Sequence, residues 1–199
     1  MASRSTRVSL AKDRAAGAEA LLIIDMISAW DFPDAKALLP RALSIAPRIA
    51  AFKARCKKAG VPVIYANDNR GRWRSDFRQV FDLSVARAGD GMRISEQLAP
   101  DSDDYFLLKP KHSAFFLTPL SLLLGHLEVR RIYLTGVAGD QCVLATATDA
   151  RMRDYDVIVP KDCIASESKS RDKRAVEYFE DVLEIPTTSS QRVRFNARR

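Results

Sequence analysis

Three polar residues stand where apolar runs end, and their types suit acyl transfer. Asp25 follows Leu21-Leu22-Ile23-Ile24, Lys109 follows the run from Asp104 to Leu108, and Cys142 lies just beyond the run from Arg131 to Thr135. Between that last run and the thiol the chain reads Gly136-Val137-Ala138-Gly139, a turn able to present backbone N–H groups to an oxyanion. A thiol attacks a carbonyl as its thiolate, so it needs a group that takes its proton and later returns one to the leaving group. Asp25 is the candidate acid and base, and Lys109 is the cation that keeps this carboxylate ionised and biases the thiol toward thiolate. With Asp140 as the cap of the following helix, Cys142 falls in its first turn, where unpaired N–H groups and the helix dipole favour a thiolate. Taken singly, the residues have plainer readings: a turn aspartate, an exposed lysine and a small buried hydrophobe. Their joint placement at strand ends favours the chemical reading.

The elements that must hold them follow from periodicity. Strand-length apolar runs are predicted at 18–25, 61–66, 104–109, 130–136 and 156–160. Helical spacing occupies 33–60, with Gly60 suited to the position after the helix end and Pro40 and Pro47 at helix starts or kinks. Further helices are predicted in pieces over 76–99, at 118–127 with Pro119 at the first position, from Cys142 to Asp156, and at 170–184. Residues 187–195 read as an edge strand. Strands separated by helices of this length mean βαβ units and a parallel sheet covered on both faces. The predicted fold class is therefore α/β, a three-layer, doubly wound, mostly parallel sheet. Ligands of such sheets bind beyond the carboxyl ends of strands, where the three polar residues stand.

At 199 residues the chain fits one domain, long enough to bury about 70% of the surface its unfolded form exposes. No apolar run approaches the length a membrane helix needs, so no membrane partner is expected. The net charge of +7 is concentrated at the ends. Arg4, Arg7, Lys12 and Arg14 against Asp13 leave +3, Arg192, Arg194, Arg198 and Arg199 leave +4, and the body between is neutral. A nucleic-acid groove needs its cations on the folded body, so none is expected, and the ends read as solvated or subunit-contacting arms. The expected organisation is a basic N-terminal arm at 1–17, one domain at 18–190 and a basic C-terminal tail at 191–199. Three cysteines, Cys56, Cys142 and Cys163, without CxxC spacing, argue against a disulfide framework and for a reducing, cytoplasmic compartment.

The runs LLIIDM (21–26), LLKPKHSAFFLTPL (107–120) and LTGVAGDQCV (134–143) resemble the three signature segments of the isochorismatase-like cysteine hydrolases, a superfamily that includes nicotinamidases and other amide hydrolases. The likeness runs in order over roughly residues 20–165. It implies a Rossmann-like fold, a triad of Asp25, Lys109 and Cys142, and a cis peptide at Val137-Ala138 that aims the N–H groups of Ala138 and Cys142 at the oxyanion. Lys109 is selected over Lys111 because the family's lysine lies four residues before the serine of its Ser-Ala-Phe run. The thiol favours amide-cleaving members, which form a thioester on theirs, over those that cleave the vinyl ether of isochorismate.

One departure changes the expected substrate. Nicotinamidases place an Asp and two His after the second strand as a metal site, whereas this chain has Asp68 and no histidine there. His112 and His126 lack metal spacing and read as structural histidines. No metal and no cofactor are expected. Trp30, Phe32, Trp73 and Phe115 are candidate pocket walls for a small substrate, and Arg72 and Arg74 candidate partners of a substrate carboxylate. The leucine-rich segment 115–127 has more apolar residues than one helix stripe uses, and superfamily members commonly assemble, so a homo-oligomer is expected. The leading expectation is a metal-independent cysteine hydrolase of a small amide or related C–N bond. The alternatives are an isochorismate-type vinyl-ether hydrolase and a non-catalytic binding or assembly subunit.

Overall fold

The computed structural model describes residues 18–71 and 73–196. The expected N-terminal arm (1–17), Arg72 and the last residues of the tail (197–199) lie outside the described residues. Strands and helices alternate: β1 (Ala18–Ile24), α1 (Ala35–Lys58), β2 (Val63–Asp68), α2 (Phe77–Val85), α3 (Asp90–Gln97), β3 (Tyr105–Lys109), α4 (Leu120–His126) and β4 (Val129–Val137). A π-helical turn (Gly139–Val143) then runs into α5 (Leu144–Met152), followed by β5 (Asp156–Ile158), β6 (Ile164–Ala165) and α6 (Lys169–Asp181).

The sheet order is β3-β2-β1-β4-β5, with β6 paired to the end of β4, and each of these pairings is parallel. Chain order turns back at β1 and β4, which is the switch point where a doubly wound sheet opens a crevice. β1 is apolar on both faces because both are covered. Leu21 and Ile23 face a core shared with α1 and α3, while Ala20, Leu22 and Ile24 face one shared with α4, α5 and α6.

Several expectations are corrected. Pro40 and Pro47 lie inside one continuous α1 and do not start helices. The helix ends as expected: Val61 N–H donates to Cys56 O and Gly60 N–H to Lys57 O, with Gly60 at φ 72°, a Schellman closure. Residues 187–195 form no strand; they carry a 3-10 turn (Ser190–Arg192) instead. The chain there lies against α1, because the Arg55 guanidinium donates to Ser190 O and Val193 O and Phe195 stacks on Phe52. The tail reading is therefore wrong for 191–196, where Val193 is buried and the Asn196 N–H donates to the buried Glu19 carboxylate at 3.1 Å. The two-residue β6 has no counterpart among the predicted strands.

Candidate active site

Asp25, Lys109 and Cys142 meet at the carboxyl ends of three strands. Asp25 is the first residue past β1 and holds a left-handed φ of 54°, a region that Asp and Asn enter more readily than other non-glycine residues. Its N–H donates to Ala66 O at 3.0 Å. Its Oδ1 accepts the Asp68 N–H at 2.7 Å, and Oδ2 accepts Lys109 Nζ at 2.8 Å. Lys109 ends β3, two strands away from β1, so its side chain crosses the end of β2 over about 10 Å. Lys109 is 0% exposed, and its Nζ also reaches Lys111 O at 3.2 Å and Cys142 Sγ at 3.5 Å. Burial pulls the ammonium down, but Asp25 and the sulfur raise it above its ordinary value, so it stays a cation.

The thiol arrives by a close approach of backbones. Gly136 pairs with Ile24 in the sheet and has φ 107°; a Cβ there would stand 2.0 Å from the Ile24 carbonyl oxygen. Only glycine permits this contact, which presses the start of the nucleophile turn against the end of β1. The Val137-Ala138 peptide is cis, and Val137, Ala138 and Cys142 line one cleft together. Asp140 does not cap the helix. Ala138 occupies that position, and the Asp140 carboxylate is drawn away to Arg171, which also binds Glu167. Asp140 N–H donates to Ser166 Oγ at 3.2 Å. The nucleophile turn is thus fastened to the start of α6.

The resting sulfur is a thiol. Burial and the Asp25 carboxylate push it up to about 12, and Lys109 offsets only part of that. This corrects the expectation of a bias toward thiolate: burial and the Asp25 carboxylate together outweigh Lys109 and the helix end. Activation must come with proton transfer during attack.

His112, read from sequence as structural, stands against the nucleophile, with Nδ1 3.4 Å from Sγ. The turn Lys109-Pro110-Lys111-His112 folds back toward the thiol. Thr146 ties the two segments, accepting the Ala114 N–H at 3.0 Å and donating to Cys142 O at 2.7 Å. His126, by contrast, is exposed at the end of α4.

The cleft over Cys142 has a volume of about 230 Å³, and Asp25, Phe32, Asp68, Arg70, His112 and Gln141 are among its lining residues. None of the three leading aromatic candidates lines it. Trp30 is wedged against α3, where a Cβ on Gly91 would meet its ring at 2.6 Å. Trp73 is 78% exposed, and Phe115 is buried under the sheet beside Tyr155. Phe32 is the wall, and Arg70 lies on it with the guanidinium carbon 3.8 Å from the ring centre. Arg74 is not among the lining residues.

The position after β2 does not suit a divalent metal. Asp68 is the single carboxylate of the segment Asp68-Asn69-Arg70, its Oδ1 accepts the Arg70 N–H at 2.7 Å, and a guanidinium replaces the histidine a metal would need. Among the described residues the one carboxylate trio, Asp101, Asp103 and Asp104, lies just before β3 and is bonded by Lys57.

Comparison with known proteins gives the same frame. The model of the isochorismatase domain matches residues 19–191. The chain is 41% identical over 176 residues to the isochorismatase family protein YaaI of Bacillus subtilis (strain 168), covering 88% of this chain and 96% of that one. An isochorismatase family protein from Desulfovibrio vulgaris superposes with a TM-score of 0.72 at 24% identity, over 88% of this chain and 95% of that one. N-carbamoylsarcosine amidase from Thermoplasma acidophilum does so with a TM-score of 0.67 at 24% identity, over 88% and 98%. At that identity the two solved structures bear on the fold.

Proposed function

The chain belongs to the isochorismatase family of hydrolases, and from that premise we propose that it is a metal-independent cysteine hydrolase cleaving a small amide or related C–N bond through a thioester on Cys142. The observation that carries this reading is the placement of Lys109 Nζ between Asp25 Oδ2 at 2.8 Å and Cys142 Sγ at 3.5 Å. A buried lysine in that position steadies negative charge on either neighbour as a proton moves between them.

In the proposed reaction Asp25 takes the thiol proton while the S–C bond forms and the carbonyl π electrons move onto oxygen. The oxyanion rests on the N–H groups of Ala138 and Cys142. As the C–N bond breaks, the proton held by Asp25 goes to the departing nitrogen, leaving an acyl-thioester for water to hydrolyse. The likeness to an N-carbamoylsarcosine amidase supports C–N cleavage at the level of the fold. Arg70 on the face of Phe32 supports a substrate with a planar or anionic tail, since a stacked guanidinium keeps its in-plane N–H groups free for a carboxylate. That same cation favours the second reading, hydrolysis of a carboxylated vinyl ether, in which the thiol takes no covalent part.

A screen over small amides, ureides and vinyl ethers, with direct product detection, tests the reading. The expected result is turnover of a C–N substrate, a mass adduct on Cys142 after acid quench, and loss of both in Cys142→Ser. Turnover that survives Cys142→Ala would transfer the assignment to the thiol-independent reaction.

A further inference from the structure

In the proposed reaction Asp25 serves the sulfur and the departing nitrogen, and a water must then be activated at the thioester. Asp25 meets that step nearly buried, with its oxygens bonded by the Asp68 N–H and Lys109. Lys109 is a buried cation with no lone pair to offer. Beside Lys109, the His112 imidazole stands against the sulfur, with Nδ1 at 3.4 Å.

His112 differs from the other two groups in exposure. It is solvent-exposed as a residue, yet it lines the same cleft. The imidazole is thus open to water in the cleft. The placement is also fixed, because Thr146 links Ala114, two residues beyond His112, to the carbonyl of Cys142 through one hydroxyl. Imidazole and sulfur are held on segments that share this fastening.

We propose that His112 is a catalytic residue of the second half-reaction, the general base that delivers water to the thioester on Cys142. The proposal rests on the cysteine-hydrolase reading above. In the tautomer protonated on Nε2, Nδ1 takes a proton from water as the new C–O bond forms. The tetrahedral oxyanion then collapses, the C–S bond breaks, and the imidazolium proton passes to the departing sulfur. Acid and free thiol are released, the imidazole is neutral again, and no oxidant or further reactant enters. The 3.4 Å contact suits the last step, since the atom that must be reprotonated is the one His112 already touches.

The test is pre-steady-state kinetics with p-nitrophenyl acetate as the acyl donor, comparing the native chain, His112→Gln, His112→Asn and Cys142→Ser. Nitrophenolate needs no proton to leave, so acylation of this probe does not depend on His112. The expected result for both histidine variants is a retained burst, steady-state release slower by on the order of 100-fold, and a Cys142 acetyl adduct that accumulates to near one per chain. Hydroxylamine, a nucleophile that needs no base, restores release. A burst and a steady state reduced in parallel without an adduct would assign His112 a merely structural role and overturn the proposal. Unchanged kinetics would overturn it as well. The two readings fail differently: a native chain that releases nitrophenolate no faster than Cys142→Ser and gives no Cys142 adduct on acid quench removes the thioester itself, whereas a native burst that the histidine variants leave intact in both phases removes only the role of His112.

Discussion

The sulfur of Cys142 sits between two charges of opposite effect, and this sets its reactivity. Asp25 raises the thiol and Lys109 lowers it, on top of the larger effect of burial. Asp25→Asn removes the raising charge and keeps a residue type at home at φ 54°. Alkylation of Cys142 by iodoacetamide at mildly alkaline pH is therefore expected to be slow in the native chain, faster in Asp25→Asn and slower still in Lys109→Met. The opposite order would remove the electrostatic account of this site. Asp25, Lys109 and Cys142 were visible in the sequence because an apolar strand that ends in a polar residue announces which side chain faces the crevice. His112 was not. Its lack of a partner at helical spacing excludes a metal pair, but a contact made by a chain folding back three residues after Lys109 leaves no periodic trace. The aromatic walls were illegible for a related reason: composition says that rings will be buried, not on which side of the sheet. Trp30 went to α3 and Phe115 beneath the sheet, leaving Phe32 at the cleft.

At the scale of elements, the strands were legible because buried parallel strands are apolar throughout, and the helices because they must cover them. Pairing within the sheet depends on long-range fit, so a strand as short as β6 gives no signal of its own. The segment after α6 was misread because alternating Val193 and Phe195 resemble a strand, while Arg55 captures the carbonyls that a neighbouring strand would have used. Another feature outside the sequence reading is the cluster that joins α1 to the loop before β3. Lys53 Nζ reaches Asp104 at 2.7 Å and Lys57 reaches Asp101 at 2.8 Å and Asp103 at 2.5 Å. The Lys57 hydrogen bond is the main reason Asp101 and Asp103 are held below their ordinary values. Depressed folded-state values mean that the stabilisation is present above the unfolded carboxylate range and is lost as pH falls through the folded values. The native chain is thus expected to melt slightly above Lys57→Met at neutral pH, the gap being small because the pairs are largely exposed. The gap should close as pH falls below the carboxylate range. A gap that widens in acid would contradict the assignment.

For the whole molecule, the end of the described chain fastens its beginning. Phe195 stacks on Phe52, packs edge-on against Tyr133, and lies next to Asn196, whose N–H holds Glu19 at the start of β1. Phe195→Ala is expected to cost about 2 kcal/mol, below the range for a fully buried ring because this one is half-buried; a thermal midpoint unchanged by the substitution would show that the ring is idle. The leucine-rich segment divides in two. Leu120 and Leu124 cover the sheet, but Phe116 is 47%, Leu117 82% and Leu122 79% exposed, and Phe116 and Leu117 lie in the loop that carries His112. We propose that a second copy of the chain covers this patch, and light scattering is expected to give a mass that is a multiple of 22.2 kDa; a single 22.2 kDa species across micromolar concentrations would leave the patch without an occupant. The contact of Gly136 with the Ile24 carbonyl has a consequence for descent. Phe32 and Arg70 line the cleft, and no backbone approach demands their side chains, so they are free to drift as a lineage changes its diet of substrates. Gly136 has no such freedom, because every alternative puts a carbon 2.0 Å from a carbonyl oxygen. In a library randomised at 32, 70 and 136 and passed through selection on one amide after another, the first two positions are expected to turn over with each substrate while the glycine persists through all of them, a hinge of inheritance around which specificity is rewritten.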